Sequence, residues 1–162
     1  MNNLHHYKAA ITWTGNRGEG TTGYKSYDRS HSVNINHKPE IPLSSDAAFM
    51  GDEGKYNPEE LFLASISSCH MLWYLHLCAE NGIVVTAYTD MATGVMNEKE
   101  GGGKFTEVML HPHVIVQKSS MIAKAAALHD QANEKCFIAN SCNFPVKHHP
   151  VCKIELKHTV NL

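Results

Sequence analysis

The segment Asn57-Pro58-Glu59-Glu60-Leu61-Phe62-Leu63-Ala64-Ser65-Ile66-Ser67-Ser68-Cys69-His70-Met71-Leu72-Trp73-Tyr74-Leu75-His76-Leu77-Cys78-Ala79-Glu80-Asn81-Gly82 decides the fold. Asn57 suits an N-cap, Pro58 the first helical position, and Glu59 with Glu60 set negative charge at the positive end of the helix dipole. Apolar residues then recur at three- and four-residue spacing, through Leu61, Phe62, Ala64, Cys69, Leu72, Trp73 and Leu77, until Asn81-Gly82 supplies a left-handed stop. These signals predict one helix starting at residue 58 and, at ~1.5 Å of rise per residue, roughly 35 Å long. Over residues 64–77 it is apolar on nearly every side apart from serines and histidines, so it belongs inside a core. A single small domain is hard pressed to cover such a rod.

Upstream, short alternating bursts at residues 8–13, 24–27 and 32–36, with Gly15, Gly18, Gly20 and Gly23 between the first two, predict an antiparallel meander. Pro39, Pro42 and residues 44–56 form a loop that delivers the chain to the helix. Downstream, residues 83–89, 91–95 and 105–116 predict a second antiparallel sheet, with Gly101-Gly102-Gly103 as a turn. A second helix starts at Ser119 or Ser120 as cap and runs through an Ala-rich segment to Cys136, with a seam of Ala125, His129, Ala132 and Cys136. An alternating strand over residues 151–160 follows the turn at Pro145. The predicted class is α+β: antiparallel sheets, a long buried central helix and a second helix.

The 162 residues suit one domain spanning 1–162. With 14 Lys and Arg against 16 Asp and Glu, the chain carries no basic field for a phosphate backbone, so nucleic acid is not an expected partner. No run of apolar residues reaches the ~20 that cross a bilayer, and residues 1–7 are polar rather than a signal, so the expectation is a cytoplasmic protein without a membrane partner. Five cysteines are an odd number in a chain large enough to need no staples, and a reducing compartment keeps them as thiols. Twelve histidines are scattered, and His5, His6, His148 and His149 read as solvated.

Cys69 is the first chemical candidate. An isolated Cys in an apolar helix is ordinarily a small buried hydrophobe, but Ser65 and Ser68 give it small polar neighbours where Leu or Ala packs better. A reactive thiol needs a cation, and a mid-helix position gains little from the dipole. Arg17 and Arg29 are the only arginines. Arg17 lies in a glycine-rich turn, and Arg29 opens a strand beside Tyr27 and His31. Cys136 meets Cys69 only if the two helices pack together, and Cys78, nine residues on, is roughly 13 Å away along the same helix. A metal site is the rival reading, since Cys136, Cys142, His148, His149 and Cys152 crowd into seventeen residues. None of their spacings matches the Cys-x₂₋₄-Cys clip of structural zinc.

The segment from Asn57 to Ser65, then Ser68-Cys69-His70, then Cys136-Phe137-Ile138-Ala139-Asn140-Ser141, together with Trp13-Thr14-Gly15, resembles the OsmC/Ohr family of thiol peroxidases. The resemblance spans nearly the whole chain. It implies an intertwined homodimer with two sites at the interface. It also implies a two-cysteine reduction of organic hydroperoxides, with Cys69 oxidised to a sulfenic acid and Cys136 resolving it as a disulfide. The chemistry would be carried by thiols without metal or prosthetic group and restored by a dithiol reductant of the lipoyl type. The family's arginine and glutamate map onto Arg29 and Glu59, with Arg17 as the other arginine candidate, in a two-point ion pair that holds the thiolate.

Glu59 and Cys69 are ten residues apart, about 15 Å on a straight helix, so one site using both needs a broken helix or a Glu59 from a second copy. The His70-Met71-Leu72-Trp73-Tyr74 run departs from the aromatic that usually follows the family's first cysteine and resembles an OsmC-like branch. Cys142 stands as a competing resolving thiol. His70 points about 100° away from Cys69 as the next residue on a helix. Phe49, Met50, Leu72 and Trp73 are the expected apolar lining, favouring alkyl hydroperoxides over hydrogen peroxide. The reading from another class is a non-catalytic module of the same fold that binds a small apolar ligand at the dimer interface.

Overall fold

The computed structural model describes residues 3–99 and 101–155. Contacts divide the chain into two compact units, Met1–Leu61 and Phe62–Leu162, each described in turn.

In the first unit, strands β1 (Ala10–Trp13), β2 (His31–Asn34) and β3 (Ile41–Leu43) form an antiparallel sheet in the order β1-β2-β3. Pro42 sits in β3 opposite Ser32, tolerated because β3 is an edge strand and spares the missing N–H. Residues 24–27, expected as a strand, form turns that meet the meander through an Asn16–Tyr27 bridge and the edge of Tyr27 on Trp13. The chain closes there because Gly15 lies against residue 28: a Cβ on Gly15 would come within 1.9 Å of the Asp28 carbonyl oxygen. The Asp28 N–H donates to Gly15 O at 2.8 Å, the Trp13 indole donates to Asp28 O at 2.9 Å, and the Thr14 N–H donates to Ser30 O at 2.9 Å. These bonds fix the segment that carries Arg29.

Helix α1 (Pro58–Glu80) begins where the sequence predicts and is unbroken. Asn57 Oδ1 accepts from the Glu60 N–H at 2.8 Å, and Glu60 Oε2 accepts from the Asn57 N–H at 3.0 Å, a reciprocal capping box. At the other end Gly82 takes φ +69°, the Ile83 N–H donates to Cys78 O and the Gly82 N–H to Ala79 O, a Schellman stop.

The second unit contains β4 (Val85–Asp90), β5 (Thr93–Lys99), β6 (Gly102–Leu110), β7 (Pro112–Val116), α2 (Ile122–Lys135), β8 (Val146–His148) and β9 (Val151–Ile154). They form two sheets, β4-β7-β9 and β5-β6-β8. The β4–β7 and β5–β6 pairings are antiparallel as expected, whereas β8 joins β6 and β9 joins β7 in parallel. The single strand expected over residues 105–116 is divided at His111, and its halves lie in different sheets. The strand expected over residues 151–160 is present as β9, and residues 156–160 lie outside the described residues. The second helix opens without the expected Ser cap: a 3-10 turn, Ser119–Met121, leads in, and no side chain caps it.

The core of this unit has two parts. Tyr74, Leu77 and Cys78 of α1 pack with Val114 and Val116 of β7 and Ala125, Leu128 and Ala132 of α2. Nearer its start, α1 sets Ile66 and Phe62 against Val108 and Leu110 of β6. The predicted α2 seam is fully buried at Ala125, His129, Ala132 and Cys136.

Within one copy, helix α1 is covered on one side only, as expected of a rod that a single small domain is hard pressed to cover. Its buried stripe is Ile66, His70, Tyr74, Leu77 and Cys78, while Ala64, Ser68, Leu72 and His76 form an exposed stripe on which Leu72 is 62% exposed. The membrane expectation needs correcting, since α1 is long and apolar enough, at mean hydropathy 1.3, to cross a membrane by length and composition. Its buried stripe, however, carries His70 hydrogen-bonded to His129, and Ser67 beside that stripe donates to Asp90 Oδ2, the pattern of a helix packed on protein.

Candidate functional site

Helices α1 and α2 bring Cys69 and Cys136 together. Cys69 lies in the middle of α1 and is half-buried, Cys136 is the fully buried C-cap of α2, and the Cys69 thiol stands near enough to act on the Cys136 thiol. Burial, together with the neighbouring Cys69 thiol, pushes the Cys136 thiol up to about 12, against weaker donation from the Ala139 N–H, whose nitrogen is 3.4 Å from Sγ. Cys136 is therefore a protonated thiol near neutral pH. Trp73, one turn beyond Cys69, meets Phe137, the neighbour of Cys136, edge to face at 5.4 Å between ring centroids. An aromatic wall thus stands beside the dithiol. Lys135 Nζ lies 5.6 Å from the centre of the Trp73 ring.

The other cysteines go elsewhere. Cys142 donates to Ile138 O at 3.3 Å and packs in the Ile66–Val108–Leu110 cluster, and burial raises its thiol pKa. Cys78 and Cys152 flank the Tyr74 hydroxyl, with Cys152 Sγ 3.9 Å from it. The crowding of Cys136, Cys142 and Cys152 in sequence is thus undone by the fold. Among the described residues, no group of three or more His, Cys, Asp or Glu side chains is placed to hold a metal ion.

Arg29, in the first unit, is sandwiched between the rings of Tyr24 and Tyr27, each centroid 4.3 Å from its guanidinium carbon. It donates to Tyr24 O and Tyr27 O, both at 2.7 Å. It lines a polar pocket of about 360 Å³ with Ser30, Ser44, Asp52 and Lys55. Arg17 instead donates to Ser26 O and Lys25 O and pairs with Asp28 at 3.7 Å, the solvated turn role its glycine-rich setting suggested. Glu59 is half-buried in the first turn of α1, and among the described residues it makes no ion pair, with Arg29 or any other cation. Of the expected lining, Leu72 and Met50 are exposed and Trp73 forms the aromatic wall.

The sequence reading missed a histidine cluster. His70 and His129 are fully buried, and His70 Nε2 lies 3.0 Å from His129 Nδ1. The Tyr74 ring stacks on His129 at 3.8 Å, and His148, expected to be solvated, brings its ring within 5.5 Å of His70 and 6.1 Å of His129. Desolvation, then the charge of His148, lowers the His70 pKa to about 4, although Asp90 pulls the other way. Desolvation and the two neighbouring imidazoles lower His129 to about 3. The available signal was His129 itself, a ring among alanines on the α2 seam.

Fold, cap and cysteine pair together define an OsmC-like protein, and the comparisons agree. The OsmC-like protein family model matches residues 51–149, and the chain belongs to that family. An OsmC-like protein of unknown function from Vibrio cholerae is 30% identical, with a TM-score of 0.82 over 91% of this chain and 100% of that one. An organic hydroperoxide resistance protein from Legionella pneumophila shares the fold at 20% identity and a TM-score of 0.68, over 95% of this chain and 100% of that one. Another from Elizabethkingia anophelis does so at 20% identity and 0.68, over 96% and 100%. No curated protein matches the chain.

Proposed function

We propose that the chain is a two-cysteine thiol peroxidase that reduces organic hydroperoxides in defence against oxidative stress. The observation that carries this reading is the pairing of Cys69 and Cys136 in unequal surroundings, one thiol half-buried and the other fully buried and held protonated. The nucleophilic role falls to Cys69. Its thiolate attacks one peroxide oxygen, the O–O bond breaks, and the alkoxide leaves and is protonated to the alcohol, so Cys69 becomes a sulfenic acid. The Cys136 sulfur then bonds to the Cys69 sulfur while its proton and the hydroxyl depart as water. A dithiol of the lipoyl type reduces the disulfide.

Arg29 is the proposed partner of the thiolate, with Glu59 orienting its guanidinium. Because α1 is unbroken, the ~15 Å between Glu59 and Cys69 stands within one copy, so Glu59 serves the site of a second copy. The exposed α1 stripe and a β1 strand exposed at all four residues support that homodimer. The Trp73–Phe137 wall favours an alkyl group over hydrogen peroxide, and the reducing cytoplasm suits five free thiols.

The test is consumption of cumene hydroperoxide and of hydrogen peroxide by the wild-type chain and by Cys69→Ser, with disulfides mapped by mass after one equivalent of oxidant. Loss of turnover in the variant and a Cys69–Cys136 bridge are expected. Unchanged turnover in Cys69→Ser overturns the mechanism, and faster turnover of hydrogen peroxide overturns the alkyl preference. Slow alkylation of Cys69, with a titration at or above the ~8.5 of free Cys, favours a module that binds a small apolar ligand.

A further inference from the structure

His70 follows Cys69 directly on α1, and His129 lies two helical turns before Cys136 on the same face of α2, about 10 Å along its axis. We propose that His70 and His129 are positioning residues for the thiol pair: their hydrogen bond pins α1 to α2 beside Cys69 and fixes the gap across which the Cys69–Cys136 disulfide closes. Four observations support this. Both imidazoles are fully buried, so neither exchanges its partner for bulk water. The 3.0 Å bond joins the two helices that carry the two cysteines. The Tyr74 ring, stacked at 3.8 Å on His129, holds that imidazole from the α1 side. Finally, β9 supplies Cys152, whose Sγ is 4.0 Å from His129 Nε2, so His129 is held at both ring nitrogens.

The protons can be assigned by elimination. A neutral imidazole has one donor nitrogen and one acceptor. If His129 donated from Nδ1, His70 would carry its proton on Nδ1, which has no partner among the described residues, leaving a buried orphan donor. An orphan N–H costs more than an orphan lone pair. His70 Nε2–H therefore donates to His129 Nδ1, and His129 Nε2–H faces Cys152 Sγ. Burial keeps both rings neutral near pH 7, which this arrangement requires.

A disulfide tolerates only a narrow range of Cα and Cβ separations, so a helix pair free to slide lowers the effective concentration of one thiol at the other. The inference rests on the peroxidase reading only in taking Cys69 and Cys136 as the working pair, and the test needs no peroxide. The full chain is equilibrated in glutathione redox buffers, where the protein dithiol and oxidised glutathione give the protein disulfide and two reduced glutathiones. The Cys69–Cys136 bridge is quantified by alkylation and peptide mass in wild type, His129→Leu and His129→Gln.

His129→Leu is expected to lower the equilibrium constant for the bridge roughly tenfold, about 30 mV for a two-electron couple. His129→Gln, whose amide keeps a hydrogen bond, should recover to within about threefold of wild type. An unchanged constant in His129→Leu, even with a lowered melting temperature, overturns the proposal, as does a glutamine variant no better than the leucine one. Should His129→Leu not fold, His70→Leu and His70→Gln are judged by the same criteria. A wild-type chain that forms the bridge but consumes no hydroperoxide overturns the peroxidase reading and leaves this one standing.

Discussion

The Asn57 N–H donates to Glu60 Oε2 at 3.0 Å while the Glu60 N–H donates to Asn57 Oδ1 at 2.8 Å, so of the two adjacent glutamates it is Glu60 that caps α1. Glu59 has no part in that cap. Asn57→Ala should therefore lower stability by about 1 kcal/mol in urea unfolding, and Glu60→Ala by a smaller amount. Glu59→Gln should leave stability within about 0.5 kcal/mol while reducing hydroperoxide turnover. A Glu59→Gln variant with wild-type turnover would remove Glu59 from the site.

The buried histidine pair makes stability depend on pH. His70 and His129 are lowered from the ordinary 6.5 to about 4 and about 3, so between those limits the unfolded chain binds protons that the native chain does not. The groups facing them are Tyr74 of α1, Cys152 of β9, His148 of β8 and the Asp90 carboxylate of β4, of which only Asp90 favours the charged ring. Stability is then full above about pH 6.5 and is lost as pH falls toward 4. Between pH 7.5 and 5 the expected loss is on the order of 4 kcal/mol in denaturant unfolding, about 2 from each ring, and it should shrink by about half in His70→Gln.

Cys142 is held in the Ile66–Val108–Leu110 cluster with its thiol on Ile138 O, so Cys142→Ser should leave the oxidised chain with its Cys69–Cys136 bridge and turnover within about twofold of wild type. Cys136→Ser, by contrast, should accumulate Cys69 sulfenic acid, detected by dimedone adduct mass. A Cys69–Cys142 bridge in wild type would reassign the resolving thiol.

On the exposed stripe of α1, Leu72→Glu places a charge where a second copy is proposed to pack. Sedimentation velocity should show wild type as a dimer and the variant as a monomer, with its melting temperature lowered by loss of the interface. A monomeric wild type would end the shared-site arrangement.

Gly15 faces the Asp28 carbonyl at a distance no Cβ can occupy. Gly15→Ala should force the turn open, costing about 2 kcal/mol or more and releasing Arg29 from its tyrosine sandwich. Loss of turnover beyond the loss of folded protein is the expected sign that Arg29 serves the reaction.

What the sequence made legible was local. The two ends of α1 could be read from Asn57, Pro58, Asn81 and Gly82 because caps and stops are written within four residues of where they act. The α2 seam was equally plain, its period carried by Ala125, His129, Ala132 and Cys136. What was hidden depends on pairing at long range. β3 is short, contains a proline and exists only through its pairing with β2, while β8, of three residues, exists because the distant β6 supplies its partners. His148 looked like a loop residue for the same reason: only its register opposite Leu110 of β6 turns the ring toward His70. The exposed stripe of α1 (Ala64, Ser68, Leu72, His76) could not be separated from the buried one (Ile66, His70, Tyr74, Leu77, Cys78), since each mixes apolar residues with a histidine.

The parallel strands β8 and β9 also set the order in which this unit is completed. Two successive short strands run alongside β6 and β7, stitching one sheet after the other across the break at His111. Both stitches come from residues that leave the ribosome after α1, α2 and every other strand described. The nascent chain therefore waits with the free edges of β6 and β7 unprotected until residues 146–154 emerge, the interval in which chaperones or premature association have their opportunity.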